Sequence, residues 1–325
     1  MRRSIFITGA TGLLGANICD IAVRDGREVR ALVRTESDAS RLRKAGVEPV
    51  LGDLSDPSAL TRAIGKAEAV IHAAALIGGT WAKASFSEFM EVNYIGVCNV
   101  LEAAKAAGVE RSLVVSTIGI FDASITMTES AHVLQISPGD SPYTQAKRAS
   151  YYDCMLRACL GQNLGFLVPA GIYGPSSNLE RALADTSFDR LILRGIKGEI
   201  TEYVDFPMNW VFAEDAARVA LAGLDDDTRG GRYLAAGRGE DECSVASCCN
   251  MAAEIAGSPH RVANRSLAQM KLDVGAMAAM SKRIFAKPMM DGGVTQKLFG
   301  IEPTPLKTGL ERTVEWMRGA GVIGH

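Results

Sequence analysis

The sequence predicts an α/β fold in which a doubly wound parallel sheet is followed by a smaller, mainly helical domain. In the first half of the 325 residues, short apolar runs alternate with helical patterns. Near-continuous apolar strands of this kind are typical of a parallel sheet that is covered on both faces. After Pro169 the alternation stops. We therefore expect one domain over residues 1–170 and a second over residues 171–325.

Each element of the first domain is predicted from its apolar pattern and its flanking turn residues. Helices are expected from about Leu13 to Asp25, over 86–108, where a glycine ends the pattern, and from the segment around Tyr143 to about Leu160. The predicted strands, in chain order, are 4–8, 28–33, 47–53, one within 67–75, 111–117 and 164–170.

The second half of the chain has a less regular pattern. Residues 176–204 are charged and are predicted to be irregular. Segment 208–224 is expected to be the end of a strand that leads into a helix, and 231–237 one more strand, so that 206–240 folds back onto the main sheet. The predicted helices of the smaller domain, which we expect to bind the substrate, are 271–290 and 309–321.

Composition and charge argue against several functional classes. The formal net charge is -2, so no basic excess points to nucleic acid or to an anionic membrane surface. No apolar run approaches the roughly 18–20 residues of a membrane span, and the apolar start of the chain is too short for a signal peptide. The seven cysteines lack paired C-x-x-C spacing, which predicts free thiols, no metal site and a reducing cytoplasmic location.

A glycine-rich turn between the first strand and the first helix predicts a dinucleotide site. Its glycines follow the spacing G-x-x-G-x-x-G within TGATGLLG. Small residues allow a tight turn, close approach of the backbone to a pyrophosphate and close packing of helix on strand, and the helix N-terminus attracts phosphate. The sheet is therefore expected to be of the Rossmann type, with these cofactor-binding residues in the turn: Gly9, Thr11, Gly12, Leu13, Leu14 and Gly15.

The residue after the second strand indicates which dinucleotide is bound. An acidic residue at this place would bind the 2′-hydroxyl of NAD, whereas this chain has Arg34. A guanidinium suits a 2′-phosphate, because it can form bidentate charge-assisted hydrogen bonds with it. We therefore expect NADP, and Glu36 keeps NAD open as the alternative.

The stretch SPYTQAK places Tyr143 and Lys147 one helical turn apart. Their helix follows the fifth strand, whose end carries Ser116 and Thr117, and ligands of open α/β sheets bind beyond the carboxyl ends of strands. A nearby ammonium favours the tyrosinate, and Thr117 is expected to hold the substrate oxygen. The set predicts a general acid–base site for hydride transfer at a carbonyl or carbinol.

Taken together, these motifs resemble the extended short-chain dehydrogenase/reductases, also called NAD-dependent epimerase/dehydratases. The similarity runs almost end to end, through TGATGLLG, GDLSD, VIHAAA, VNYIGVCNVLEAAKAAGV, VVST, YTQAK, PAGIYGP, WVFAEDAARV and the C-terminal KLFGIEPTPLKTGLERTVEWM. The chain looks closest to the dihydroflavonol-reductase and 3β-hydroxysteroid-dehydrogenase-like branch.

The resemblance implies roles for the matched positions. Tyr143 would donate or accept the proton, Lys147 would bind the nicotinamide ribose and lower the tyrosine pKa, and Thr117 would be the third catalytic residue. Asn93 matches a catalytic helix asparagine, with a structural role left open. A homodimer through 86–107 and 142–160 is also implied. Further cofactor contacts, of which Asp53 would meet the adenine, are assigned to Asp53, Leu54, Ala73, Ala74, Ala75, Ser116, Pro169 and Ile172.

These residues favour an NADP-dependent oxidoreductase acting on the carbonyl or secondary alcohol of a small, lipophilic substrate. The alternative is a nucleotide-sugar epimerase or dehydratase that retains NAD(P), and a third class is a redox-sensing module without catalysis, which the intact catalytic set disfavours. Sugar dehydratases of the family carry an acidic pair where this chain has Ile118 and Gly119. The Met-rich segment 270–290 is expected either to surround a lipophilic substrate or to serve ordinary helix packing.

A second stretch bears on the substrate class. In MNWVFAED, Met208 falls where nucleotide-sugar enzymes of the family carry an arginine for the diphosphate, while Trp210 and Asp215 match the family pattern. A thioether cannot neutralise a diphosphate, which predicts a substrate without a nucleotide. The arginines that stay open as substitutes are Arg181, Arg190 and Arg194.

Overall fold

The computed structural model describes residues 3–77, 84–270 and 285–324. The strands, numbered in chain order, are β1 Ile5–Thr8, β2 Val29–Val33, β3 Glu48–Leu51, β4 Ala69–His72, β5 Arg111–Val115, β6 Leu164–Pro169, β7 Gly171–Tyr173, β8 Glu202–Val204, β9 Pro207–Met208, β10 Trp210–Phe212, β11 Arg232–Ala235, β12 Cys243–Ser244 and β13 Ala263–Arg265.

The α-helices begin with α1 to α6, which surround the first six strands. Their bounds are α1 Leu13–Arg24, α2 Glu36–Lys44, α3 Pro57–Ile64, α4 Phe86–Met90, α5 Gly96–Ala106 and α6 Pro142–Cys159. The later helices are α7 Leu179–Ala182, α8 Phe188–Ile196, α9 Ala213–Asp225, α10 Val245–Ala256, α11 Leu267–Met270, α12 Gly293–Phe299 and α13 Leu306–Gly319.

Seven strands form one parallel sheet in the order β3-β2-β1-β4-β5-β6-β11. The chain leaves β1 towards β2 on one side and later enters β4 on the other side. This reversal opens a crevice at the carboxyl ends of β1 and β4, which is where open α/β sheets bind ligands. The predicted doubly wound parallel sheet is confirmed, and β11 lies at its edge beside β6.

Apolar side chains cover both faces of this sheet. One cluster joins alternate β1 residues such as Ile5 and Ile7 to Ile18 of α1 and Leu221 of α9. Another joins Phe6, on the opposite face of β1, to apolar residues of α3 and α5. Because successive side chains of a strand point to opposite faces, a run that is apolar at every position is buried on both sides.

A further cluster of buried apolar residues lies entirely after Ala170 and is mainly helical. It combines α8, α10 and α13 with aromatic residues of β7 and β10, including Tyr173 and Trp210. The division into a cofactor domain and a substrate domain at residue 170 stays a prediction. Among the described residues, none of the helices is both long enough and apolar enough to cross a bilayer.

Three details differ from the sequence-based expectation or lie outside the described residues. Residues 176–204 are not irregular, because they contain α7, α8 and β8, and Ser187 caps α8 by accepting from Arg190 N. The predicted helix 86–108 is interrupted by a π-helical turn at Glu91–Ile95 between α4 and α5. Most of the predicted helix 271–290, residues 271–284, lies outside the described residues.

Candidate functional site

The three glycines after β1 have different surroundings. Gly9 has a φ of +77°, and a Cβ there would lie 2.5 Å from Ala74 N. A Cβ on Gly15 would lie 2.0 Å from Gly9 O, so these two glycines are required by packing. A Cβ on Gly12 would meet only Gly9 O, at 3.5 Å, among the described residues. Gly12 therefore leaves open the space in front of α1, where a pyrophosphate would approach the backbone.

The N-terminus of α1 is suited to bind an anion. Gly12 is its N-cap and supplies no side-chain hydrogen bond, and neither Leu13 nor Leu14 adds a polar side chain to the first turn. Free N–H groups at a helix N-terminus, together with the helix dipole, favour phosphate. The turn that carries Thr11 therefore fits the phosphates of a dinucleotide.

Two asparagines that the sequence analysis missed fix this turn. Asn178 Nδ2 donates to Thr11 O at 2.8 Å, and Asn178 is buried. Asn17 Nδ2 donates to both Leu13 O and Pro175 O at 3.0 Å. The segment after β7 is thereby tied to the glycine-rich turn. An asparagine is common at helix caps, so Asn178, at the N-cap of α7, gave no sign of this long-range contact in the sequence.

At the other end of the crevice, Arg34 follows β2 and is exposed. Its guanidinium forms no salt bridge among the described residues, whereas Arg43 pairs with Glu36, the residue that kept NAD open. Asp53 is exposed, and the hydrogen bonds from Ser55 together with the Arg34 charge lower its pKa. An exposed cation thus lies at the predicted adenosine end.

The segment that follows β4 is held by β1 and by the π-helical turn. Ala73 N donates to Thr8 O at 3.1 Å, and Ala74 and Ala75 follow it in the crevice. Asn93 is fully buried in the turn, where its Oδ1 accepts from Leu76 N at 2.8 Å and its Nδ2 donates to Leu76 O at 2.9 Å. These contacts support the structural role that the sequence left open, since both ends of the amide are occupied by backbone.

The predicted acid–base residues lie together at the end of β5. Tyr143, in the first turn of α6, forms a side-chain hydrogen bond with Thr117, and its ring packs edge-on against Phe89 with centroids 6.1 Å apart. Lys147, one turn later, donates from Nζ to Val115 O at 3.0 Å. Ser141 caps α6 and Pro142 begins it, which fixes where the tyrosine emerges.

The electrostatics differ from one sequence-based expectation. Burial raises the pKa of Tyr143, and the Thr117 hydrogen bond only partly opposes this. Burial also lowers the pKa of Lys147 to about 8. The predicted lowering of the tyrosine pKa by Lys147 is therefore not found in the protein alone. The Thr117 hydrogen bond is what opposes burial, and the Lys147 Nζ is directed at a backbone carbonyl.

The remaining predicted cofactor residues occupy neighbouring places. Ser116 is buried directly after β5, and its N donates to Leu167 O in β6. Pro169 is the last residue of β6, and Ile172 lies in β7. Leu54 follows β3, and its carbonyl accepts from Asn99 Nδ2 at 2.8 Å. The sheet order thus brings residues from separate motifs to its carboxyl edge.

The three residues of MNWVFAED that bear on the substrate class are buried in the interior of the protein. Met208 is buried, with its methyl carbon against Gly171, and Trp210 Nε1 donates to Cys243 O at 3.0 Å. Asp215 is buried and accepts from Thr304 N at 2.7 Å. The nearby arginines lie on α7 and α8, where Arg190 approaches Asp185 at 3.8 Å and Arg194 approaches Glu199 at 3.8 Å, while Arg181 is exposed.

Comparison with known proteins agrees with this arrangement. Residues 5–236 match the model of the NAD dependent epimerase/dehydratase family. The chain is similar to sterol demethylase protein B of Methylococcus capsulatus, with 27% identity over an alignment of 338 residues that covers 98% of this chain and 99% of that protein. It is also similar to a putative dihydroflavonol 4-reductase of Synechocystis, with 28% identity over 72% of this chain and 68% of that protein.

Among solved structures, UDP-glucuronic acid 4-epimerase of Bacillus cereus in complex with NAD has the same fold, with a TM-score of 0.74 and 19% identity over 98% of this chain and 99% of that chain. The family model covers more than half of the sequence, including every residue of the candidate site. The protein therefore belongs to the NAD-dependent epimerase/dehydratase family and is an NAD(P)-dependent enzyme.

Proposed function

We propose that this enzyme is an NADP-dependent oxidoreductase that transfers a hydride between the nicotinamide and a carbonyl or secondary alcohol of a small, lipophilic substrate. The observation that carries the proposal is the placement of Tyr143, hydrogen-bonded to Thr117, at the carboxyl end of β5 with Lys147 one turn away. The cofactor, when bound, supplies or accepts the hydride.

The side chains of the site suit the reduction of a carbonyl. As the carbonyl carbon gains a hydride, its oxygen gains an electron pair and takes the phenolic proton of Tyr143, which yields the alcohol and a tyrosinate. Burial raises the pKa of Tyr143, so the phenol keeps its proton at neutral pH, and this proton is the one that the carbonyl oxygen takes. Thr117 would hold the oxygen beside the phenol, and oxidation of the alcohol would reverse these steps.

Arg34 supports the choice of NADP. Its guanidinium is exposed at the end of β2 and forms no salt bridge with any described residue. An arginine in this position can bind a 2′-phosphate through charge-assisted hydrogen bonds. Arg43 cannot replace it without giving up its ion pair with Glu36.

Two features argue against the alternative classes: one against a substrate with a nucleotide, the other against a dehydratase. Met208 lies in the apolar interior, so the MNWVFAED stretch presents no cation to a diphosphate. Thr117 is followed by a 3₁₀ turn, Ile118–Ile120, that has no acidic side chain to protonate a leaving hydroxyl. A lipophilic substrate also accords with the name of the Methylococcus relative, which refers to sterols.

The alternative is a nucleotide-sugar epimerase that retains NAD(P), as the family description and the Bacillus cereus epimerase allow. The two functions are separated by one pair of measurements. We expect oxidation of added NADPH with ketones or aldehydes, and no micromolar calorimetric binding of UDP, GDP, ADP or dTDP in the presence of NADP. Tight binding of one nucleotide, lost on replacing Arg181, Arg190 or Arg194, would move the protein to the epimerase class.

We also propose a cytoplasmic homodimer. The seven cysteines are free thiols, which accords with a reducing compartment. Within the two segments that the family resemblance implicates, 86–107 and 142–160, Ile95, Leu156 and Leu160 are 45%, 59% and 79% exposed. Analytical ultracentrifugation should show a dimer that Leu156→Glu converts to a monomer, with Leu298→Glu, another exposed helical leucine, as the control; a monomeric wild-type protein would contradict this proposal.

A further inference from the structure

A buried histidine lies within the range of the Lys147 charge. His72 ends β4 and is 1% exposed, with its Nδ1 2.8 Å from Thr8 Oγ1. Its other ring nitrogen, Nε2, has no hydrogen-bond partner among the described residues, and the same holds for the buried hydroxyl of Ser116. Buried polar atoms rarely stay without partners, because desolvation without a hydrogen bond costs free energy.

These two atoms lie on one face of the sheet, close to Lys147. His72 pairs with Val114 in the parallel ladder, and Ser116 is two residues farther along the same chain direction, so their side chains share a face. Lys147 Nζ donates to the carbonyl of Val115, which lies between Val114 and Ser116. The Lys147 charge also acts on the His72 ring, and burial together with that charge lowers the histidine pKa to about 3.

The imidazole is therefore neutral at physiological pH and can offer a lone pair. Among the described residues few titratable groups act on this pair: the Lys147 charge acts on His72, Cys154 on α6 acts on Lys147, and no carboxylate shifts the pKa of either residue. Thr8 on β1 and Ser116, directly after β5, contribute only neutral hydroxyls. A buried ammonium in such surroundings depends on neutral acceptors for its stabilisation.

We propose that His72 is a positioning residue for Lys147, acting through one bound water that accepts from the ammonium and donates to His72 Nε2 and to Ser116 Oγ. A lysine ammonium has three donors and no acceptor, so Val115 O takes one, the water a second, and the third points into the site. Three hydrogen bonds are typical of a buried water. The inference deepens the proposed function and rests on it for the role of Lys147 in catalysis.

Two substitutions of His72 distinguish the roles of its two ring nitrogens. Asparagine can place an amide near the position of Nδ1, so His72→Asn keeps the contact with Thr8 and loses the acceptor for the water. Glutamine can place its amide near the position of Nε2, so His72→Gln keeps the acceptor and loses the Thr8 contact. The probe is the titration of Lys147, followed by NMR on the full chain with lysine labelled at Cε, without added cofactor; Lys147→Met identifies the resonance.

We expect His72→Asn to lower the titration midpoint of Lys147 by about one pH unit, the scale of one hydrogen bond to a charged group. His72→Gln should leave the midpoint in place but lower the melting temperature more than His72→Asn does. Ser116→Ala, a mild change, should lower the midpoint in the same direction even if a His72 variant does not fold.

Equal midpoint shifts in the asparagine and glutamine variants, or no shift in Ser116→Ala, would overturn the assignment. Because the titration needs no turnover, it is independent of the proposed function. If the protein failed to oxidise NADPH yet showed the expected pattern, the oxidoreductase proposal would fail and the His72 assignment would stand. If the oxidoreductase proposal and the His72 assignment are both correct, the alkaline limb of the pH profile of kcat should shift together with the Lys147 midpoint in His72→Asn. In His72→Gln the alkaline limb should stay in place.

Discussion

Two buried regions of this molecule hold ionisable side chains in different ways. At the carboxyl ends of β4 and β5, His72 and Lys147 lie beside the crevice, and both have shifted pKa values. In the cluster after Ala170, Asp189 at the start of α8 is fully buried; its Oδ1 accepts from Gly174 N at 2.9 Å, and its Oδ2 has no partner among the described residues.

Burial causes the main pKa shift in both regions, but its consequence differs. It lowers the pKa of Lys147 to about 8 and raises that of Asp189 to about 8. The lysine lies where a ligand can be bound, whereas the aspartate lies under aromatic residues of β7 and β10. A shifted pKa therefore indicates a functional group only where the geometry also gives access to a ligand.

The prediction with the largest expected effect tests whether the first region is catalytic. Tyr143→Phe should lower turnover at least ~10²-fold, the usual scale of lost acid–base catalysis, and leave the Kd of NADP nearly unchanged. Steady-state kinetics and calorimetry measure the two quantities. Tyr152→Phe is the matched control, since that hydroxyl, on the same helix, donates to Val133 O instead of facing Thr117. Retained turnover in Tyr143→Phe would contradict the assignment of Tyr143 as the acid–base residue.

The next effect concerns the adenosine end of the crevice. Wild-type protein should bind NADP more than tenfold more tightly than NAD, because a hydrogen bond to a charged group contributes about 1.5–3 kcal/mol. Arg34→Asp should reverse this preference, as measured by calorimetry with each cofactor. Arg43→Ala, which removes a guanidinium paired with Glu36, should leave it in place. Equal affinities of the wild-type protein for the two cofactors would contradict the role of Arg34.

The smallest effect tests the second region. The folded-state pKa of Asp189 is raised from 3.8 to about 8, so its contribution to stability is fully present below the unfolded value and is lost as pH rises towards the folded value. Wild-type stability should therefore fall, through this residue, by about 1.4 kcal/mol per pH unit within that window. The stability of Asp189→Asn should lack this dependence on pH.

Chemical denaturation of the two proteins at pH 6, 7 and 8 measures the difference. We expect the free energy of unfolding of Asp189→Asn to rise relative to that of the wild type with each step in pH. The NADP affinity of the variant should stay unchanged. Parallel stability curves would mean that Asp189 titrates near its ordinary value. A loss of cofactor affinity in Asp189→Asn would show that the two regions are coupled.

The sequence predicted the parts of the molecule whose patterns are local. The apolar strands, the glycine-rich turn and the Tyr143–Lys147 spacing each depend on a few adjacent residues, and the structure places them at one edge of the sheet. α8 was missed because Asp189, Arg190 and Arg194 interrupt its apolar pattern, although Asp189 is in fact buried.

Other features depend on contacts between distant segments. Nothing near Asn178 in the sequence shows that its amide reaches Thr11, which lies 167 residues earlier. The direction of the Tyr143 pKa shift depends on how completely the ring is desolvated, and spacing on a helix does not contain that information. The role of Asn93 was open for the same reason, since its partner Leu76 lies in another segment, after β4.

The π-helical turn at Glu91–Ile95 has a consequence for the rotational phase of the long helix that contains it. A wider turn accommodates one extra residue, and each residue of an α-helix advances the side-chain direction by about 100°. Phe89 before the turn can therefore meet Tyr143 while Val97 after it enters the core under the sheet. Deleting one residue within the turn would restore a regular helix, but it would move one of these two faces out of alignment with its partner.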